Sequence, residues 1–171
     1  PVPAEGKEEV YEQLRKLGYD RLTFSSNIEV NWDEAAQNLV IKDISLSGKD
    51  MGSVSLSGIV GGFTNQFFSG DKVMTQVAAL GLKPREAKLK IKEKGLITKG
   101  LKLYAEENGM AEEDLRSSLA LVAAAALQDL TAEQPKLQEA VAAFSAFLAK
   151  PNVFELTVKS KAPQGLGALE L

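Results

Sequence analysis

The sequence predicts an α+β fold: an antiparallel β-sheet, a meander of three strands plus two later strands, with helices packed on one face. Three observations carry this. Apolar residues alternate with period two through most of residues 19–63, switch to helical spacing, and alternate again near residues 84–92 and 152–160. Short turns rich in Gly, Asn and Asp separate the periodic runs. At 171 residues, 44% hydrophobic and 25% charged, the chain has the size and composition of a single α+β domain with its own core.

Each element has a local reason. Residues 1–6 read as an extended lead-in. Val10, Leu14 and Leu17 at helical spacing predict a helix over Lys7 to Leu17, stopped by Gly18. From Tyr19 the period is two: Leu22, Phe24, Ile28, Val30 and Trp32 share one strand face, expected to be buried, and Ser25, Asn27, Glu29 and Asn31 share the wet one. Leu39 to Ser47 is a second strand whose apolar phase slips from Leu39 and Ile41 to Ile44 and Leu46, which predicts a bulge near Lys42 and Asp43. Gly52 to Phe63 is the third strand, with Val54, Leu56 and Val60 alternating against serines.

Helical spacing returns between Thr64 and Lys83, with Val73, Val77 and Leu80 in register and Ser69 or Asp71 as the cap. Ala87, Leu89 and Ile91 then alternate with Glu86, Lys88, Lys90 and Lys92 in a fourth strand after Pro84. Thr98 to Asn108 reads as a helix with Leu101, Tyr104 and Ala105 facing in. Ala111 to Leu130 is a longer one, with Glu112, Glu113 and Asp114 favouring its N-terminus and a stripe of Leu115, Leu119, Val122, Ala126 and Leu130. Thr131 and Gln134 have capping-box spacing before a last helix through Leu137, Val141, Phe144 and Leu148. Asn152 to Ser160 is the fifth strand, burying Phe154, Leu156 and Val158, and residues 161–171 form a loose tail.

Composition removes several classes of chemistry. With no histidine and no cysteine, the Ser-His-Asp and Cys-His machineries, Cys/His zinc sites and thiol redox chemistry are excluded. A net charge of −3 with 6% aromatic residues is the wrong balance for nucleic acid. No apolar run is long enough to span a bilayer, and no acidic loop has calcium-binding spacing. No cofactor or metal is therefore expected. Ser69 and Lys72 match S-x-x-K, the spacing that a Ser/Lys hydrolase needs, but its companion motifs are missing; capping by Ser69 or Asp71 explains the same letters.

The most functional-looking segment holds Phe63, Phe67 and Phe68 within six residues, between a strand and a helix, with Trp32 at another strand end. These four either plug the core or form the lip of an apolar pocket or contact patch. Lys88, Lys90, Lys92 and Lys94 share a strand face, as do Lys159 and Lys161, and protect an edge or meet an acidic surface.

Leu17-Gly18-Tyr19 before a long strand, Asn38-Leu39-Val40-Ile41, Ile44-Ser45-Leu46-Ser47, the run from Gly52 to Gly58, and the ending Phe147-Leu148 with Pro151 together resemble an uncharacterised group of bacterial cell-envelope proteins. The resemblance implies an exported, periplasmic protein, and brings no activity or site residues with it. The start at Pro1 points to processing or to a piece of a longer chain. The expectation is a non-enzymatic envelope domain that binds a protein partner or an apolar ligand; the alternatives are the Ser69/Lys72 hydrolase and a structural module of a larger protein.

Overall fold

The computed structural model describes residues 9–126, 135–162 and 165. Its elements are α1 (Glu9–Lys16), β1 (Phe24–Asp33), β2 (Asn38–Gly48), β3 (Gly52–Gly61), a 3-10 turn (Asn65–Phe68), α2 (Lys72–Leu80), β4 (Lys83–Glu93), α3 (Leu96–Glu107), α4 (Glu112–Ala126), α5 (Pro135–Ala149) and β5 (Val153–Lys159). The strands form one open antiparallel sheet in the order β1-β2-β3-β4-β5, so the fold is α+β. The lead-in and the Thr131–Gln134 capping box lie outside the described residues, as does most of the tail from Lys161.

The chain divides into two compact units, and every strand contributes to both: Pro1–Ser25, Ser47–Ser53 and Ile91–Phe154 form the first, Ser26–Leu46, Val54–Lys90 and Glu155–Leu171 the second. In the first unit the turn between β2 and β3 is pinned from several sides. Tyr19 is buried, donates its hydroxyl to the Asp50 carbonyl at 2.9 Å, and carries the Lys99 ammonium 4.1 Å above its ring. The buried Met51 offers its carbonyl to the N–H groups of Lys94 and Leu96, both at 3.2 Å. Gly95 must be glycine there: its φ is +140°, and a Cβ would stand 2.5 Å from the Asp50 carbonyl. The Glu93 carboxylate then caps α3, accepting from Gly95 N at 2.5 Å, Ile97 N at 3.0 Å and Thr98 N at 3.1 Å.

Helices α4 and α5 supply the rest of this unit's core. Small residues let α4 come close enough for Ser145 to reach the Ala120 carbonyl at 3.4 Å. Arg116 pairs with Glu112 at 2.5 Å and also reaches the Ala149 carbonyl at 3.4 Å, joining the two helices at that end. Leu115, Phe147 and Phe154 are buried. Phe154 meets Phe144 edge-on at 5.4 Å and Phe147 at 5.9 Å between ring centroids. Burial of an aromatic of this kind is worth about 1.5–3 kcal/mol.

In the second unit, two β2 neighbours, Lys42 and Asp43, reach Glu29 at 2.7 Å and Asn27 at 2.8 Å. Glu29 and Asn27 lie on the same face of β1, being two residues apart. These two cross-strand pairs tie the middle of β2 to β1. Between β4 and β5, Lys90 pairs with Glu155, and Lys159 with Glu86 at 3.2 Å, so the lysine face is interleaved with acids rather than uniformly basic.

Burial departs from expectation most in this unit. The face of β1 read as core is open: Ile28 is 73% exposed, Val30 49%, and Phe24, in the first unit, 54%. Trp32 and Leu22 are half-buried. On α2, Val73, Val77 and Leu80 point to solvent and Ala78 is the buried residue. Tyr104, Val122 and Val158 are likewise exposed, whereas Ala105 and Leu115 are buried as expected. Alternation sorts residues by face, but only a covering element makes a face into core.

Burial lifts the Tyr19 phenol above its ordinary 10.0, and the carboxylates of Glu93 and Asp50 push in the same direction. The folded state therefore keeps a proton that the unfolded chain gives up from about pH 10. The stability from this group is present below that value and is lost as pH rises through the raised one. Urea midpoints followed between about pH 9 and about pH 11 should fall, and Tyr19→Phe should flatten part of that fall.

Candidate functional site

The structure brings all four sequence-predicted site residues together. Trp32 stands at the end of β1, Phe63 follows the close of β3, and Phe67 and Phe68 lie in the 3-10 turn. The turn into Phe63 depends on Gly62, whose φ of +73° and tight approach to the Gly81 carbonyl leave no room for a Cβ. The Trp32 indole N–H donates to the Phe63 carbonyl at 3.0 Å. Phe63 stacks on Phe67 at 4.3 Å and meets Trp32 edge-on at 6.4 Å and Phe68 at 5.9 Å, while Phe68 lies 4.9 Å from Trp32. Such pairs add about 0.5–1.5 kcal/mol each beyond burial. Phe68 is 64% exposed and the other three are half-buried, so the cluster is both a plug and a surface.

This cluster closes one end of a larger apolar surface. Trp32 continues the alternation of Ile28 and Val30 along β1. The turn at Gly48 to Gly52 and the bond from Phe63 N–H to the Gln37 carbonyl set β2 against β3, placing Leu46 opposite Val54 and Ile44 opposite Leu56. Ile28, Val30, Ile44, Leu46, Val54 and Leu56 are all exposed and lie in the second unit. A shallow cleft of about 250 Å³ in the same unit is bounded mostly by polar residues, Lys42, Asp43, Ser55, Ser57, Lys88 and Lys90, together with Leu56. Sequence reading assigned the aliphatic residues to the core. The signal that they form a surface would have been an excess of apolar strand positions over helical faces available to cover them.

A second cleft in the same unit, about 390 Å³, is bounded by the α2 C-terminus, the segment around Gly62 and Thr64, the β1–β2 turn, and Lys83 and Arg85. Ser69 and Lys72, both exposed, take part in local turn structure. The Ser69 hydroxyl donates to the Gln66 carbonyl at 2.8 Å, and Asp71 caps α2 by accepting from Val73 N at 2.7 Å and Met74 N at 3.2 Å. Among the described residues, no group of acidic side chains is placed to hold a metal ion, and no helix is long and apolar enough to cross a membrane.

Fold and site together define an α+β protein with a bare apolar sheet face ending in an aromatic cluster. A family profile described as "Uncharacterized protein" matches residues 45–171, and the chain belongs to that family. No curated protein and no solved structure matches the chain.

The two roles of the cluster separate by mutation. Phe63→Ala should cost about 2 kcal/mol or more, because that ring contacts three aromatic neighbours. Phe68→Ala should cost less than about 1 kcal/mol, since most of the ring already faces solvent. Chemical denaturation of the two variants measures both.

Proposed function

We propose that this protein is a non-catalytic binding module that takes the hydrocarbon part of a lipid-like amphiphile on the open face of its meander. The observation behind this reading is the single-sided set of exposed aliphatic residues, Ile28, Val30, Ile44, Leu46, Val54 and Leu56, ending at Trp32, Phe63 and Phe68. A monomeric protein rarely leaves contiguous apolar surface of more than a few hundred Å² without a use for it. Covering such surface gains about 25 cal/mol per Å². The residues are aliphatic and flat-lying, which suits a flexible alkyl chain, and the aromatic rings give its end a shaped stop. Helix α2 of the same unit adds the exposed Val73, Met74, Val77 and Leu80.

The neutral dye N-phenyl-1-naphthylamine tests this directly. Its emission should rise and shift blue on mixing with the native chain, and decanol should compete it off. Ile28→Asp and Leu46→Asp should each weaken dye binding about tenfold, as a charge set into a covered apolar face costs at least that much. Neither should move the urea midpoint much, because both side chains are exposed. No dye response, or variants that bind like the native chain, would sink the reading; a complex with a host protein in place of lipid would move this face to the partner-protein alternative.

An envelope setting belongs to the same proposal and is supported by the resemblance through Leu17-Gly18-Tyr19 and the strand runs that follow. Fractionation of the native host should recover the chain with the periplasm or membranes, and a purely cytosolic pool would remove that part.

A further inference from the structure

The cleft of about 390 Å³ in the second unit is lined by two cationic side chains and no carboxylate. Lys83 and Arg85 both come from the start of β4. On the same pair of strands, Lys90 pairs with Glu155 and Lys159 with Glu86. Lys83 and Arg85 have no acidic partner among the described residues. Arg85 Nε is buried without a hydrogen-bond partner, and so is the hydroxyl of Thr64 on the same cleft wall.

A buried guanidinium nitrogen with nothing to donate to is costly, because it loses water and gains no acceptor. A planar guanidinium fork, an ammonium and a hydroxyl turned to one cleft are the donor set that recognises a carboxylate or a phosphate. Gln66, at the cleft rim, carries a further amide donor.

We propose that this cleft seats an anionic head group, carboxylate or phosphate, held by Arg85 and Lys83 with Thr64 donating. The assignment rests on the amphiphile reading above and narrows it: the ligand carries one negative head and an apolar chain. β3 and β4 neighbour each other in the sheet, and the residues of the head site and of the aliphatic face belong to one compact unit.

The test titrates the full chain by calorimetry with decanoate, decyl phosphate, decanol and inorganic phosphate. Decanoate or decyl phosphate should bind about tenfold or more tightly than decanol, the gain of a charge-assisted hydrogen-bond pair. Arg85→Gln should erase that preference while decanol still binds as it does to the native chain, which also shows that the variant is folded. Arg85→Lys, which keeps the charge and loses the fork, should fall between the two. Equal affinity for charged and neutral ligands, or a preference that survives Arg85→Gln, overturns the head-group site and leaves the apolar face standing. Inorganic phosphate bound in an Arg85-dependent manner, with no response to any alkyl ligand, keeps the anion site and overturns the amphiphile reading. No binding of any of the four overturns both.

Discussion

The register between β2 and β3 decides which aliphatic residues of the meander share a side. The turn at Gly48 to Gly52 and the bond from the Phe63 N–H to the Gln37 carbonyl hold the two strands in step, so Leu46 stands opposite Val54 and Ile44 opposite Leu56. A slip of one residue would set each of these aliphatic side chains opposite a serine instead. The apolar face of the meander depends on that register.

The two units then use apolar residues in opposite ways. In the first, Phe154 is roofed by Phe144 and Phe147, and Tyr19 and Met51 are sealed around the β2–β3 turn. In the second, strands of the same kind present their side chains to solvent, and the small residue Ala78 is what α2 buries. The stabilisation that burial would bring is left unclaimed on that face. A region with few buried apolar contacts opens locally at lower free energy than the region around it.

Much of this was legible in the chain. Period-two runs, glycine stops and the Asp71 cap are all written in local spacing, and the structure has them where the spacing puts them. The aromatic cluster was also within reach, because three of its members are close in sequence and Trp32 sits at a strand end. What spacing cannot carry is coverage: Ile28 and Phe154 occupy equivalent alternating positions, and only the helix packed over one of them distinguishes core from surface. The Glu93 cap escaped notice because the residue reads as the last charge of a strand, and its helix begins after an intervening glycine. The Arg85 cleft escaped for a different reason. Its walls come from the β1–β2 turn, the segment after β3, α2 and β4, and no single window of sequence holds them together.

Trp32 is the chain's one tryptophan. Its indole is fixed by the Phe63 carbonyl, half out of water, at the rim of the apolar face. No second indole contributes to the emission of this protein, so its fluorescence is a local spectroscopic record of one site. A red shift would register the indole moving into water, and a blue shift or a change in lifetime would register its drying. The molecule carries its own optical gauge at the aromatic cluster, and it needs no label.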